Sequence, residues 1–148
     1  MRTVLTTCFL GWLAWQAAAA DVKWTEDYAA ALKKAKAEKK LVLLDFTGSD
    51  WCPWCIKIDK EVFAKPEFAK YAKDHLVLVK VDFPRRRKLS AEQKAANAKL
   101  QQQFKVRGFP TLVVVNADGK EIWRQPGYRP GGPKAFIASL SAAAKKAK

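Results

Sequence analysis

Two cysteines, Cys52 and Cys55, lie three positions apart in the segment Cys-Pro-Trp-Cys, directly after Trp51. Thiols with this spacing on the first turn of a helix can form a disulfide without movement of the backbone, because their Cα atoms would lie roughly 5 to 6 Å apart. A loop this short constrains the unfolded chain very little, so the bond would add little stability. The pair therefore predicts a reversible two-electron switch at an exposed helix tip.

An apolar strand and a helix are predicted to position these thiols. Residues 41–46 form an almost continuous apolar run, which is typical of a strand covered on both faces. Pro53 suits the first turn of the following helix. Pro66 is expected to end that helix near Phe63 or Ala64 and to open a second helix through Tyr71. The cysteines would then lie where the carboxyl end of a buried strand leads into a helix.

The rest of the chain alternates between predicted strands and helices. Further strands are expected at 76–83, 111–115 and 120–125, with a hairpin turn at 116–119. Further helices are expected from Thr25, as the cap, to about Lys40; from Ser90 to about Phe104; and near the end, with Phe136, Ile137 and Leu140 facing inward. This order predicts one α/β domain, in which helices flank a central mixed sheet with a parallel core and an antiparallel C-terminal hairpin.

The first twenty residues are typical of a secretory signal. Met1 and Arg2 give a positive start, residues 4–15 are mostly apolar, and the small residues 17–20 suit cleavage before Asp21. A membrane anchor is the alternative, but a spanning helix needs about 20 apolar residues. We therefore expect a signal peptide at 1–20 and a mature domain at 21–148. The protein would be periplasmic or otherwise exported, with no stable membrane insertion after cleavage.

Removal of this signal would also remove Cys8 and leave Cys52 and Cys55 as the only cysteines of the mature domain. A small exported domain that depended on disulfide staples would carry four or more scattered cysteines. The close pair is therefore expected to serve reactivity rather than stability.

The formal charge of the chain is +14, which favours acidic partners, a membrane surface or nucleic acid. Most lysines are spread along the predicted helices, and only the run at 85–88, Arg-Arg-Arg-Lys, is dense. An exported protein seldom meets nucleic acid. We therefore expect a solvated basic face, no nucleic-acid partner and a monomeric chain.

The order of the elements, with Trp-Cys-x-x-Cys after the first central strand, resembles thioredoxin. Residues 106–111, Val-Arg-Gly-Phe-Pro-Thr, resemble the thioredoxin segment that holds the cis-proline, and they too precede a strand, a turn with glycine and another strand. The resemblance covers residues 24–140. Residues 43–63 are more closely similar to exported bacterial thioredoxin-like proteins related to the C-terminal domain of the transmembrane reductant conductor DsbD.

This resemblance implies a role for each matching residue. Cys52 would be the attacking thiol and Cys55 the resolving thiol, with Pro110 in the cis form beside them. Phe109 would offer its backbone to a substrate strand, and Asp45 would exchange protons with the resolving thiol. The alternative for Asp45 is a carboxylate that caps the following loop. A carboxylate buried without a charged partner should have a raised pKa, which suits this exchange. The loop from Asp45 to the first cysteine is one residue longer than in thioredoxin. This departure would displace the carboxylate and weaken the proton transfer.

The helix start favours a thiolate at Cys52, because free N–H groups and the helix dipole stabilise negative charge there. Pro53 removes one possible donor. Cys55, one turn inside, should be shielded and should keep the higher pKa. Trp51, Pro53 and Trp54 are candidate substrate-binding residues. Trp51 either packs against the helix or faces the substrate, whereas Trp54 is expected to be partly exposed and to contact the substrate.

Trp54 also bears on the direction of electron flow. The strong oxidase DsbA has a histidine in the equivalent dipeptide that can stabilise the thiolate, whereas tryptophan carries no charge. We therefore predict a Cys52 pKa above that of the DsbA cysteine and a more reducing potential. The predicted function is an exported thiol-disulfide oxidoreductase, acting as a reductant or isomerase-type carrier. It would exchange electrons with protein thiols and disulfides and with an unidentified redox donor or acceptor.

Two other functions are compatible with the sequence. Structural zinc normally takes four ligands, and the mature domain offers two cysteines and one distant histidine, His75, at a predicted helix end where a cation is favourable. Two-coordinate Cu(I) binding stays open because soft thiolates select this ion. The other alternative is a non-catalytic basic binding domain with the same fold. The main interpretation requires neither a cofactor nor a metal.

Overall fold

A five-stranded mixed sheet runs through the structure, a computed structural model that describes residues 22–146. The strands are β1 (Trp24–Thr25), β2 (Leu41–Thr47), β3 (Leu76–Asp82), β4 (Thr111–Val115) and β5 (Glu121–Pro126). The helices are α1 (Tyr28–Glu38), α2 (Pro53–Ile58), α3 (Pro66–His75), α4 (Ala91–Gln103) and α5 (Gly132–Lys146), and a π-helical segment (Asp59–Phe63) continues α2.

The strand order is β1-β3-β2-β4-β5. Strands β1, β3 and β2 are parallel, whereas β4 lies antiparallel to both β2 and β5. The predicted parallel core with an antiparallel C-terminal hairpin is therefore confirmed. Strand β1 was not predicted, because its two residues are too few to show a pattern and it is defined only by its pairing with β3.

Strand β2 is buried from Val42 to Thr47, as its apolar run predicts. Leu44 and Phe46 pack into the core on one face of the sheet with residues of α1 and α4. Leu43 packs on the other face with residues of α2, α3 and α5. Each fully buried side chain of this kind contributes roughly 1.5–3 kcal/mol of hydrophobic stabilisation, so the strand is a rigid base for the loop at its carboxyl end.

The first helix begins later than predicted. Asp27, not Thr25, is the N-cap of α1, and its carboxylate accepts a hydrogen bond of 2.9 Å from the N–H of Ala30. Thr25 instead belongs to β1, and its hydroxyl oxygen accepts a hydrogen bond of 3.1 Å from the N–H of Asp27. The pairing of β1 with β3 holds Thr25 in the sheet and moves the helix start to Tyr28.

Two other helices differ in detail from the prediction. Helix α3 continues past Tyr71 to His75, and the two rings are in tilted contact with centroids 4.5 Å apart. In α5, Phe136 and Leu140 are buried as predicted, but Ile137 is only half-buried. These differences lie away from the cysteines.

The predicted signal peptide at 1–20 lies outside the described residues, so the domain boundary at residue 21 stays a prediction. Within residues 22–146, no helix is long and apolar enough to cross a membrane.

Candidate redox site

Cys52 and Cys55 are joined by a disulfide across the first turn of α2, with Cα atoms 5.2 Å apart. Cys52 is the N-cap of the helix and Pro53 occupies its first turn. The N–H of Cys55 donates a hydrogen bond of 3.3 Å to Sγ of Cys52. The helix start therefore directs a backbone donor at the sulfur of the first cysteine, an arrangement that stabilises negative charge there.

The sulfur-bearing side chains are less accessible than the sequence suggests. Cys52 is only 4% exposed and Cys55 1%, whereas Pro53 is exposed and Trp54 is 55% exposed. The expectation of an exposed switch is therefore wrong for Cys52 in the disulfide form, whereas Cys55 is shielded as expected. Because the two sulfurs bond to each other and lie against the first turn of α2, the intervening dipeptide forms the outer surface.

Trp51 is anchored by contacts on several sides. Its indole Nε1–H donates a hydrogen bond of 2.8 Å to the carbonyl of Phe83, and its ring meets Phe109 edge-on with centroids 6.1 Å apart. The guanidinium carbon of Arg85 lies 3.8 Å from the ring centroid. A Cβ at Gly48 would overlap the indole. These contacts favour packing for Trp51; its substrate-binding role stays a prediction.

Two aspartates that the sequence analysis missed hold the loop before the cysteines. The carboxylate of Asp50 accepts hydrogen bonds from the backbone N–H groups of residues 85, 86 and 87, at 2.9, 2.7 and 3.2 Å. These donors, the N–H of Arg85 foremost, lower the pKa of Asp50. The buried Asp82 carboxylate accepts from the N–H and hydroxyl of Ser49, at 3.0 and 2.6 Å. The position of Asp50 just before Trp51 and Cys52 could have indicated a role near the site. Its partners could not be predicted, because they lie 35 to 37 positions further along the chain.

Pro110 is buried, and the Phe109–Pro110 peptide bond is cis, the isomer that the resemblance implies. Phe109 is half-buried and stacks on Phe83 with centroids 5.0 Å apart. The carbonyl of Pro110 accepts a hydrogen bond of 2.7 Å from the N–H of Gly127. Since Phe109 also touches Trp51, the structure brings this segment to the tryptophan that precedes the cysteines.

Trp54 belongs to a group that the sequence did not reveal. Its ring stacks on Tyr128 with centroids 5.4 Å apart, and the ammonium of Lys57 lies 5.5 Å from the Trp54 ring and 5.1 Å from the Tyr128 ring. The Tyr128 hydroxyl donates a hydrogen bond to the carboxylate of Glu61, which raises the pKa of Tyr128. We call Trp54, Tyr128 and Lys57 the aromatic platform.

Asp45 is 1% exposed in the middle of β2, and burial raises its pKa to about 7. The raised pKa matches the prediction, but the assumption that no charged partner is present is wrong. The ammonium of Lys80 lies 3.8 Å from Oδ2 of Asp45 and 3.4 Å from Oδ1 of Asp59. Neither Asp45 oxygen has a hydrogen-bond partner, so no hydrogen bond from Asp45 to either cysteine is preformed. Lys80 was missed because its pairing depends on the register of β2 and β3.

Within residues 22–146, no group of three or more His, Cys, Asp or Glu side chains is arranged to hold a metal ion. His75, at the end of α3, lies among the exposed residues of that turn, and its ring contacts that of Tyr71 at a tilt.

Comparison with known proteins supports the predicted resemblance. Residues 28–144 match the family described as Thioredoxin-like domain. The chain is 44% identical over 128 residues to the disulfide bond reductase DsbH of Chlamydia pneumoniae, covering 86% of this chain and 76% of that protein. It is 36% identical over 90 residues to the thiol:disulfide interchange protein DsbD 2 of Pseudomonas aeruginosa, covering 61% of this chain but only 14% of that protein.

The solved structure of a DsbH oxidoreductase is similar with a TM-score of 0.81 and 39% identity, over 98% of this chain and 94% of that chain. The predicted α/β fold and its resemblance to DsbD-type domains are thereby confirmed.

Proposed function

Because the chain belongs to the thioredoxin-like family of thiol-disulfide oxidoreductases, we propose that it is exported and exchanges the Cys52–Cys55 dithiol and disulfide with protein substrates. It serves as a reductant or isomerase-type carrier rather than as a strong oxidase. The observation that carries this proposal is the disulfide across the helix start, with the N–H of Cys55 directed at Sγ of Cys52.

Reduction of a substrate proceeds in two exchange steps. The Cys52 thiolate attacks one sulfur of a substrate disulfide; a mixed disulfide forms and one substrate thiolate leaves. The Cys55 thiol then loses its proton and attacks Sγ of Cys52, which releases the second substrate thiolate and closes the Cys52–Cys55 disulfide. The protein gives up two electrons and the one proton of Cys55, and the substrate gains two electrons and two protons, the second of which comes from solvent.

Asp45 accepts the proton that leaves Cys55. A carboxyl with a pKa of about 7 can both take and return a proton near neutrality. Lys80, between Asp45 and Asp59, keeps part of the Asp45 population ionised, since its charge opposes the effect of burial. Asp59 follows Cys55 by one helical turn, and its N–H donates a hydrogen bond to the carbonyl of Cys55. The charged cluster of Asp45, Lys80 and Asp59 therefore extends to the helix that carries the resolving thiol.

The substrate strand lies against Phe109 and Pro110. No hydrogen bond within residues 22–146 uses the backbone N–H or carbonyl of Phe109, so both groups are available to an extended segment. Pro53 and Trp54 form the exposed surface over the disulfide, and the aromatic platform provides apolar area on one side. Trp51 supports this surface from its packed position.

The proposed direction of electron flow rests on the uncharged Trp54 between the cysteines, and the proposed export rests on the predicted signal peptide at 1–20. The name of one similar protein, a disulfide bond reductase, agrees with a reducing role, and that of another, a thiol:disulfide interchange protein, agrees with the exchange itself. Equilibration with glutathione should give a potential well below the value of about −120 mV of a strong oxidase. A potential near that value would overturn the reducing role.

Trapping experiments test the exchange itself. The Cys55→Ser variant should accumulate mixed disulfides with exported proteins through Cys52, whereas the matched Cys52→Ser variant should trap none. The wild-type protein should reduce insulin in the presence of dithiothreitol faster than dithiothreitol alone. Absence of both activities, with stoichiometric copper in the purified protein, would overturn the proposal in favour of a Cu(I) module.

A further inference from the structure

The basic run at 85–88 lies in a loop that is fastened to the loop before the cysteines. The N–H of Phe83 donates a hydrogen bond of 2.8 Å to the carbonyl of Thr47, and the carbonyl of Phe83 accepts 2.8 Å from Nε1 of Trp51. Asp50 accepts three further backbone hydrogen bonds from residues 85–87. These bonds tie residues 83–87 to the loop before the cysteines. The basic run is therefore held in a fixed position at the rim of the redox site.

The three arginine side chains of this run make different contacts. Arg87 donates to Glu26 at 2.9 Å and to Asp82 at 3.2 Å, so its charge is paired by two carboxylates of the same domain. Arg85 and Arg86 are exposed, and their guanidinium groups make no hydrogen bond and no salt bridge within residues 22–146. We call Arg85 and Arg86 the arginine patch.

The guanidinium of Arg85 is nevertheless held in place. Its carbon lies 3.8 Å from the centroid of the Trp51 ring, a distance at which the cation is attracted by the face of the indole. Stacking uses the face of the guanidinium and leaves its in-plane N–H donors free, and these donors match a carboxylate bidentately. Arg85 is therefore positioned to bind an anion rather than only to remain in solvent.

The carboxylates nearest to the patch are already engaged. Asp50 accepts the three backbone N–H groups of the loop, although its charge also interacts with Arg86. Asp82 is buried and bonded to Ser49 and Arg87. The patch consequently keeps positive charge that the described part of the chain does not fully compensate.

We propose that the arginine patch binds acidic side chains in the polypeptide segment that flanks the disulfide of a substrate. Trp51, on which Arg85 stacks, immediately precedes Cys52 and touches Phe109. A segment lying along Phe109 therefore passes Trp51 and reaches Arg85. This inference rests on the proposed function and adds a substrate preference to it. The lysines of the chain are still interpreted as a solvated basic face.

The patch should act mainly on the rate of productive encounter. Complementary charges at the rim of a site accelerate association, and the acceleration falls with salt. An acidic substrate should thus react faster than a basic one at low ionic strength. At 0.5 M salt, where the Debye length is roughly 4 Å, most of this preference should be lost.

Two synthetic peptides with one intramolecular disulfide test this inference. They share a scaffold, and the residues flanking the cysteines are Asp and Glu in one and Lys in the other. The protein is first reduced with dithiothreitol, which is then removed, and the release of reduced peptide is followed in a single turnover. We expect the acidic peptide to react about tenfold faster at low salt.

The variant Arg85→Gln/Arg86→Gln should lose most of this preference. The matched control, Lys33→Gln/Lys73→Gln, removes the same charge from exposed lysines of α1 and α3 that form no salt bridge within the described part of the chain, and it should keep the preference. Arg85→Lys/Arg86→Lys should retain part of it, since the charge remains but bidentate binding is lost.

The outcomes separate this inference from the proposed function. If the reduced protein converts neither peptide, the proposed function fails. If it converts both at equal rates, or if both double variants lose the preference equally, the arginine patch is not a docking site. Equal rates together with patch-dependent binding to phosphatidylglycerol vesicles would assign the patch to a membrane surface and overturn the inference.

Discussion

The ammonium of Lys80 lies 3.8 Å from Oδ2 of Asp45, near enough to attract the carboxylate but too far to donate a hydrogen bond. Burial raises the pKa of Asp45, and Lys80 is the strongest influence in the opposite direction. The same ammonium lies 3.4 Å from Asp59 and 4.8 Å from the ring of Trp24. The protonation of the buried carboxyl is therefore set first by burial and then by one lysine from the neighbouring strand.

The raised pKa of Asp45 should make the oxidised protein less stable as the pH rises. The pKa is about 7 in the folded protein and near 3.8 when unfolded, so the folded state binds more protons between these values. The free energy of unfolding should fall by an amount on the order of 4 kcal/mol from pH 4 to pH 8, relative to Asp45→Asn. Urea unfolding of both proteins across this range checks the difference, and parallel curves would contradict it.

Removal of the Lys80 charge should shift the pH dependence of the reaction. Lys80→Met keeps the length of the side chain but removes the charge that lowers the pKa of Asp45, so that pKa should rise above 7. If Asp45 accepts the proton from Cys55, the acidic limb of the rate profile should move to higher pH. Single-turnover rates from pH 5 to 9 measure the shift. Lys70→Met, at an exposed position of α3, is the control, and identical profiles would remove Lys80 from the mechanism.

Gly48→Ala should displace Trp51, because the added Cβ would overlap the indole. We expect a loss of about 1–3 kcal/mol in the free energy of unfolding and a changed near-ultraviolet circular dichroism spectrum. Gly108→Ala is the matched control, since a Cβ there meets nothing within 4 Å. Equal stability of the two variants would show that the space around Trp51 is not limiting.

Trp54→Ala should impair the reaction with proteins more than with small disulfides. Truncation of an aromatic contact at an interface commonly costs more than about 1 kcal/mol, so the ratio of insulin to hydroxyethyl disulfide reduction should fall about five- to tenfold. Tyr128→Phe keeps the stacked ring and loses only the hydrogen bond to Glu61, so this ratio should change less. A ratio unchanged by Trp54→Ala would count against substrate contact.

Local rules were sufficient to predict the elements around the cysteines. Pro53 and Ser90 occupy the helix starts that their side chains favour, and the apolar run of β2 is buried on both faces. The start of α1 was missed because Thr25 and Asp27 are both good caps, and only the pairing of β1 with β3 decides between them.

The amino-acid sequence is sufficient to predict the redox pair, because the distance between Cys52 and Cys55 depends on a single helical turn. It also determined that Asp45 would be buried, since this residue lies within a strand covered on both faces. Which charged groups and which aromatic rings meet depends on the three-dimensional fold. Lys80 reaches Asp45 through strand register, and Tyr128 meets Trp54 across 74 positions of sequence (128 minus 54). Such contacts follow from chain topology, which no local pattern encodes.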